Sequence, residues 1–469
     1  MLLLEMIFVP VRAQLRIHQE DIDLSGKRPF KDSVGYYNYH LFGVDLDSSH
    51  FESKVVFNNC VFKEVPIFEG SVFKQGLFLI NDTLQKTGKF YGLITDTASF
   101  TGTVFKQTAH LTNVNFKTEV SFAGTTFGPC AFFSTTIFNE GADFQGARFG
   151  RVADFSFDIL GEDATFNFLD AHLPHLIDLS HIEKIPRIID LSEANFSDYD
   201  YSTNDHRHYI NLYGSDIGKV KFDYQHFRLC FYNPRSFESP VNTYFKILGH
   251  DTISYDEKKY HIDETLPEKL LAIPKFRDYI QDVFPSAGLK DTIVHDFIIH
   301  WASFEYGFPN ALSDDEVKAS YQKVLKYFET TGQKQSYEEL DIEYRKFTGN
   351  WFDLSYWWNR YGYRKELIFS RTLYLFIFFY AFTYLLIPQL TNKNGKEESV
   401  YFVESTPEDL KKIRVRAWFA FTYTLSLFLL LSLKSENLNL KKGLSLYILA
   451  VYAIGIICLA YLGAFVLQK

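Results

Sequence analysis

The chain has 469 residues, enough for two or three domains. Its formal net charge is −9 with 22% charged residues, and no Lys/Arg block offers the counterion-releasing surface that nucleic acid requires, so nucleic acid is not expected as a partner. Aromatic residues reach 18%, with 48 Phe, so something in the fold calls for Phe in particular. Cys60, Cys130, Cys230 and Cys458 show neither CxxC nor metal-ligand spacing, which argues against a disulfide framework and against a zinc site.

Residues 1–13 read MLLLEMIFVPVRA. Val11 and Ala13 are the small residues a signal peptidase reads, but Glu5 interrupts a short apolar run and no basic residue precedes it. A signal peptide is expected here; a first β-strand, or a start codon assigned too late, are the alternatives. Residues 14–49 are expected to form an N-terminal cap.

Residues 50–231 carry an internal repeat. Large rungs stand at Phe100, Phe105, Leu111, Phe116, Phe122, Phe127, Phe133, Phe138, Phe144, Phe149 and Phe155, alternating steps of five and six in an 11-residue unit. Two residues before each rung stand Ala98, Thr103, Ala109, Val114, Val120, Thr125, Ala131, Thr136, Ala142, Ala147 and Ala153, all small or β-branched. Phe57, Phe62, Phe68 and Phe73 share the spacing, and the register blurs near Phe90. The period suits neither an amphipathic helix nor a flat strand. It suits a chain that turns a corner about every five residues, with one large and one small residue inward on each short side. Coils of this kind stack ring over ring, and their ends need caps.

Ala98-Ser99-Phe100-Thr101-Gly102, Ala142-Asp143-Phe144-Gln145-Gly146, Ala153-Asp154-Phe155 and Ala194-Asn195-Phe196-Ser197-Asp198 resemble the pentapeptide repeat, in which Ala and Asp or Asn precede Leu or Phe. The resemblance implies a mainly β fold, a right-handed quadrilateral parallel β-helix. The 5/6 alternation departs from a uniform five, which leaves the coil cross-section open. Some proteins of that family mimic DNA and bind topoisomerases, but those are soluble and strongly acidic along one face, unlike this chain.

Residues 232–312 form a mixed connector. A helical hairpin and interfacial segment follow over 313–366. Ser313 with Glu316 and Ser336 with Glu339 have capping-box spacing, and Gly332 stops the first helix. Val317, Tyr321, Val324, Leu325 and Phe328 make one apolar face, and Leu340, Tyr344 and Phe347 the other. The segment 332–345 resembles one found in bacterial membrane proteins with pentapeptide repeats.

Trp351, Trp357, Trp358, Tyr361, Tyr363 and Arg364 read as membrane-interface anchors. Within 367–469, stretches 368–390 and 444–467 are long and apolar enough to span, with Gly455 and Gly463 available for close helix approach. The stretch 417–433 is short, either spanning or re-entrant. This layout is similar to a two-helix potassium-channel pore, although Leu430-Leu431-Ser432-Leu433-Lys434-Ser435 has no Gly-Tyr-Gly filter. Basic residues on the two sides of the first span balance. The signal peptide would place the solenoid outside the cytoplasm of a bacterial inner membrane, with three spans; a cytoplasmic solenoid is the alternative.

His206 and His208 beside Asp205, and His261 with Asp263, read as polar surface, not as a metal site. No nucleophile elbow, P-loop or zincin motif occurs. The sequence therefore reads as a membrane-anchored, non-catalytic scaffold without cofactors, whose partner is another protein or an envelope component. A channel-like or effector protein that forms homo-oligomers through its C-terminal helices is the alternative.

Overall fold

The computed structural model describes residues 18–23, 29–182, 184–197, 207–234, 265–302, 308–349, 354–364, 366–390, 412–429 and 442–467. The sequence readings at 1–13, His206, His261, Trp351 and 430–435 lie outside them. The chain forms two compact units, Met1–Tyr344 and Arg345–Lys469.

The first unit is built on a parallel β-solenoid of about eight turns. Each coil lays four short strands on four faces. One coil runs Leu77–Ile80, Thr83–Leu84, Gly88–Lys89 and Ile94–Thr95, and each segment pairs in parallel with its counterpart in the next coil. Val55 pairs with Leu77, Leu77 with Ala98, Ala98 with Val120 and Val120 with Ala142, so one coil takes 21 or 22 residues. Stacked coils begin before residue 50, with Pro29–Phe30 paired to His50–Phe51.

The inward rungs form four columns, one per face. Phe100, Phe122, Phe144 and Phe168 stack with centroids 5.0, 5.1 and 5.0 Å apart, close to the spacing of paired strands. Phe133 lies on Phe155 at 4.7 Å and 1°. All rungs from Phe100 to Phe155 are buried. The apparent blur near Phe90 is a change of residue type and one shortened step, not a break in the fold. Leu79, Leu84, Phe90 and Thr95 hold the same four inward positions, and the step from Thr95 to Phe100 is five instead of six. Aromatic residues alone could not reveal a ladder continued through Leu and Thr.

Corner chemistry explains the alternation. On the five-residue sides, the residue two beyond the rung is left-handed: Asn59, Gly70, Asn81, Gly92, Gly102, Asn113, Gly124, Thr135 and Gly146 have φ between 55° and 68°. This conformation suits Gly and Asn. The residue before the rung ties the turn: Asp143, Asp154, Asn167 and Asp178 accept from the backbone N–H two residues on at 2.8–3.0 Å. Thr103, Thr125 and Thr136, at small inward positions, donate to the carbonyls of Leu79, Phe100 and Leu111 in the preceding coil at 2.9, 2.7 and 2.5 Å.

Two helical elements close the solenoid. Helices α1 (Leu266–Leu271), α2 (Pro274–Val283) and α3 (Thr292–Ala302), with Phe284 just after α2, bury Phe276, Ile280, Phe284, Phe297 and Trp301 against Val152, Leu176 and Tyr209 of the third face and against Tyr232 beyond it. Asp296 of α3, itself buried, binds Arg151 at 3.1 Å and His175 at 3.2 Å. Tyr232–Asn233 pairs antiparallel with Asn310–Ala311, which ends the parallel stacking.

Helices α4 (Asp314–Thr330) and α5 (Lys334–Thr348) cap the last coils. Tyr327 and Phe328 pack on Phe222, and Tyr321 on Phe231. The Ser313–Glu316 capping box forms, and Gly332 at φ 72° ends α4. The second expected cap does not form, because α5 begins at Lys334, ahead of Ser336. Ser336 is instead buried and accepts from the Tyr224 N–H at 3.0 Å. Arg228, buried across Tyr224, reaches Glu339 at 3.3 Å and Glu343 at 3.9 Å.

The second unit holds α6 (Leu354–Asn359), α7 (Leu367–Leu390), α8 (Ile413–Phe428) and α9 (Lys442–Leu467). Phe379, Phe419, Tyr423, Phe428, Ile448 and Cys458 form its core. Gly455 does bring helices together, since a Cβ there would strike the Phe428 backbone, whereas nothing lies within 4 Å of a Cβ at Gly463.

Phe133→Ala removes a fully buried ring stacked on Phe155 and is expected to destabilise the solenoid by about 3–5 kcal/mol. Ile159→Ala, at an exposed outward position, should fall within about 0.5 kcal/mol of the parent. Urea unfolding followed by circular dichroism compares the two; equal effects would contradict the stacked-ring core.

Candidate interaction surface

Along each strand the residue between the two inward ones points outward, so each face carries one outward residue per coil. On the third face this row runs Lys89, His110, Phe132, Asp154, Asp178 and Asn211. From Phe132 onward it is covered: His300 of α3 stacks on Phe132 at 5.1 Å, and Asp154, Asp178 and Asn211 are buried.

The fourth face is open. Its outward row is His50, Val72, Ile94, Asn115, Ile137 and Ile159, with Ile94 36% and Ile159 58% exposed. β-Branched residues suit strands. Val72, Ile94, Ile137 and Ile159, interrupted by Asn115, also supply partly exposed apolar surface of the kind found at contact surfaces. Surface ion pairs, Lys74–Glu52 at 2.9 Å and Lys117–Asp96 at 2.7 Å, tie neighbouring coils. At the corner between the fourth and first faces lies a shallow cleft of about 460 Å³, lined by Glu119, Asn139, Glu140, Glu162, Asp163, Thr165 and Arg187. Arg187 pairs with Asp163 at 3.3 Å. Among the described residues no three His, Cys, Asp or Glu side chains converge closely enough to hold a metal ion.

His208, read from sequence as loop surface, is fully buried in the strand His208–Asn211, where its Nδ1 bonds the Pro174 carbonyl at 2.7 Å. Burial pushes it down to about 4, so it is neutral at physiological pH. The aromatic segment before α7 divides. Trp357, half-buried, receives Arg371 at 5.3 Å, and Tyr361 receives Arg345 at 5.3 Å. Trp358 is buried in the helical core beside Tyr461, so it packs protein instead of facing outward. Tyr363 is half-buried, and Arg364 is exposed with Glu366 at 3.5 Å.

Sequence reasoning missed the buried carboxyls. Asp82 and Asp158 occupy the small inward position two residues before Leu84 and Leu160, where Thr stands in other coils. The spacing rule itself identifies them as inward. Each accepts one backbone N–H, Asp82 from Cys60 at 2.6 Å and Asp158 from Thr136 at 2.9 Å. Burial pushes Asp82 up to about 8 and Asp158 well above the usual carboxylate range. Asp154 and Asp178, stacked on consecutive coils beneath α3, are both raised by burial, and the mutual proximity of the pair raises Asp154 further. Asn211 lies 3.4 Å from Asp178.

The folded chain holds the carboxyls of these groups above the unfolded pKa of about 4. Their stabilisation is therefore complete below about pH 4 and is lost as pH rises through the folded values, near 8 for Asp82. The melting temperature of the full chain is expected to fall between pH 5 and pH 8.5. Asp82→Asn keeps the acceptor for Cys60 and should flatten part of that slope; a Tm that rises over this interval, or a slope indifferent to the substitution, would contradict the assignment.

Residues 100–148 match the family model described as Pentapeptide repeats (9 copies). No curated protein and no solved structure matches the chain.

Proposed function

We propose that this chain is a membrane-anchored scaffold that presents a rigid β-solenoid to another protein or to an envelope component, without catalysis, cofactor or nucleic acid. One observation carries the membrane part. Leu367–Leu386 and Leu446–Gly463 are long and apolar enough to cross a bilayer, yet only 17% and 22% of their residues are buried. Core helices of a soluble domain would be mostly enclosed. Here Phe369, Leu373, Ile377, Phe378, Leu385, Leu446 and Leu449 are exposed, and lipid is the solvent that suits such surfaces.

Inside the second unit, several polar groups that would otherwise face lipid or the apolar bundle are paired between helices. Pro388 has no N–H, so the carbonyl of Tyr384 lacks its helical donor; Arg416 supplies two bonds, at 2.8 and 3.2 Å, and lies over the Tyr384 ring. Thr424 donates to Thr383 at 2.8 Å, and the Tyr447 hydroxyl joins Thr383 to the Phe379 carbonyl.

The binding part rests on the open fourth face. A straight stack of coils holds outward residues at fixed spacing with little entropy left to lose on binding. The amino-terminal segment favours placing this surface outside the cytoplasm of a bacterial cell.

Two measurements test the reading. The full chain should stay in the membrane pellet through alkaline carbonate and leave only with detergent; release by carbonate would overturn the anchor. Photo-crosslinking residues placed at Ile94 and Ile159 in native membranes should give a discrete adduct that is lost when Ile137 becomes Lys, while Tm stays unchanged. Absence of any adduct from either position would count against the fourth face as the docking surface.

A further inference from the structure

Helix α8 is 16 residues long, about 24 Å at 1.5 Å per residue, against a hydrocarbon layer of about 30 Å. It runs antiparallel to α7. Arg416, near its start, reaches Tyr384; Phe421 packs on Tyr380 and Phe376; Phe428, its last residue, packs on Phe376 at 5.8 Å. Helix α9 is also antiparallel to α7, with Tyr447 at the height of Thr383 and Phe379. On α9 the backbone of Phe428 lies against Gly455.

Both neighbours therefore place the end of α8 at the same depth. Phe376 is at the centre of the apolar stretch Leu367–Leu386, and Gly455 at the centre of Leu446–Gly463. The start of α8 lies at the end of the bundle where α7 finishes and α9 begins.

From these heights we infer that α8 is a re-entrant helix, which enters from the far end of α7, stops at mid-depth between two full crossings, and leaves on the side it entered. The inference rests on the membrane reading proposed for the chain. Helices α7 and α9 are then the two spans, the solenoid and the end of α9 share one side, and the chain between α7 and α9 emerges only on the other. A helix that ends in mid-bilayer must have its terminal carbonyls enclosed by protein. Gly455 provides the close approach, since any larger residue would push α9 away from the Phe428 carbonyl. The Thr424–Thr383–Tyr447 chain fixes the depth at which α8 stops. Of the two sequence-based alternatives for 417–433, spanning or re-entrant, the inference takes the second.

The test uses the full chain in sealed vesicles. Carbonate extraction comes first, because release there overturns the membrane reading and this inference with it. Single cysteines are then placed at Glu64, Asn394, Asn437 and after Lys469, with the native cysteines replaced by Ala, and labelled with a membrane-impermeant maleimide. The expected pattern groups Glu64→Cys with the C-terminal cysteine, and Asn394→Cys with Asn437→Cys, on opposite faces. If α8 crosses fully, Asn437→Cys groups with Glu64→Cys and the C-terminal cysteine with Asn394→Cys. That result overturns the re-entrant helix while leaving the anchor intact. Protease access to an epitope after Lys469 on the otherwise unaltered chain separates the same two topologies without cysteine replacement: cleavage from the solenoid's side supports two spans, and cleavage from the other side three.

Discussion

The stacking of one buried ring on another, coil upon coil, is the interaction on which the rest of this molecule depends. A coil of 21 or 22 residues cannot enclose a core of its own. Placing Phe144 on Phe122 and Phe168 on Phe144 at about 5 Å converts four thin sides into a continuous column. The same spacing is that of backbone pairing between coils, so ring stacking and strand pairing reinforce each other. Each fully buried ring contributes roughly 1.5–3 kcal/mol of transfer free energy, and offset contacts add to it.

The ladder leaves two problems that the remaining elements solve. A stack of strands has open ends, and its last coil would expose Phe222, Tyr224, Phe227 and Phe231. Helices α4 and α5 close that end with Tyr321, Tyr327 and Phe328, and Arg228 with Glu339 and Glu343 joins them at the margin. The third face carries buried Asp154 and Asp178, whose carboxyls burial beneath α3 raises above the usual carboxylate range. The first unit is thus covered on one face and one end, with the β-branched row of the fourth face left to solvent.

Much of this is legible in the sequence because the repeat is periodic: every rung from Phe100 to Phe155 and every small residue two before it is buried, as the spacing predicts, while Phe132, Val152 and Asp154 are buried at positions that it does not mark. Legibility fails where chemistry substitutes for type. Thr95 and Leu84 hold rungs without being aromatic, Asp82 holds a small-residue position as a neutral acid, and Ser336 looks like a helix cap but is recruited by the Tyr224 N–H. In the second unit composition reveals the apolar helices, but the depth at which α8 ends depends on contacts with Phe376 and Gly455 that no local pattern encodes. The same holds for Arg416, whose role follows from a proline on another helix.

Hydrogen–deuterium exchange of the full chain in lipid nanodiscs, compared with lipid-depleted protein, tests the account of a self-supporting solenoid joined to lipid-supported helices most directly. The account predicts that amides across 98–155 are among the slowest to exchange and keep their protection when lipid is removed, whereas those of α7 and α9 lose theirs. Equal loss in both regions, or rapid exchange across 98–155 while lipid is present, would contradict it.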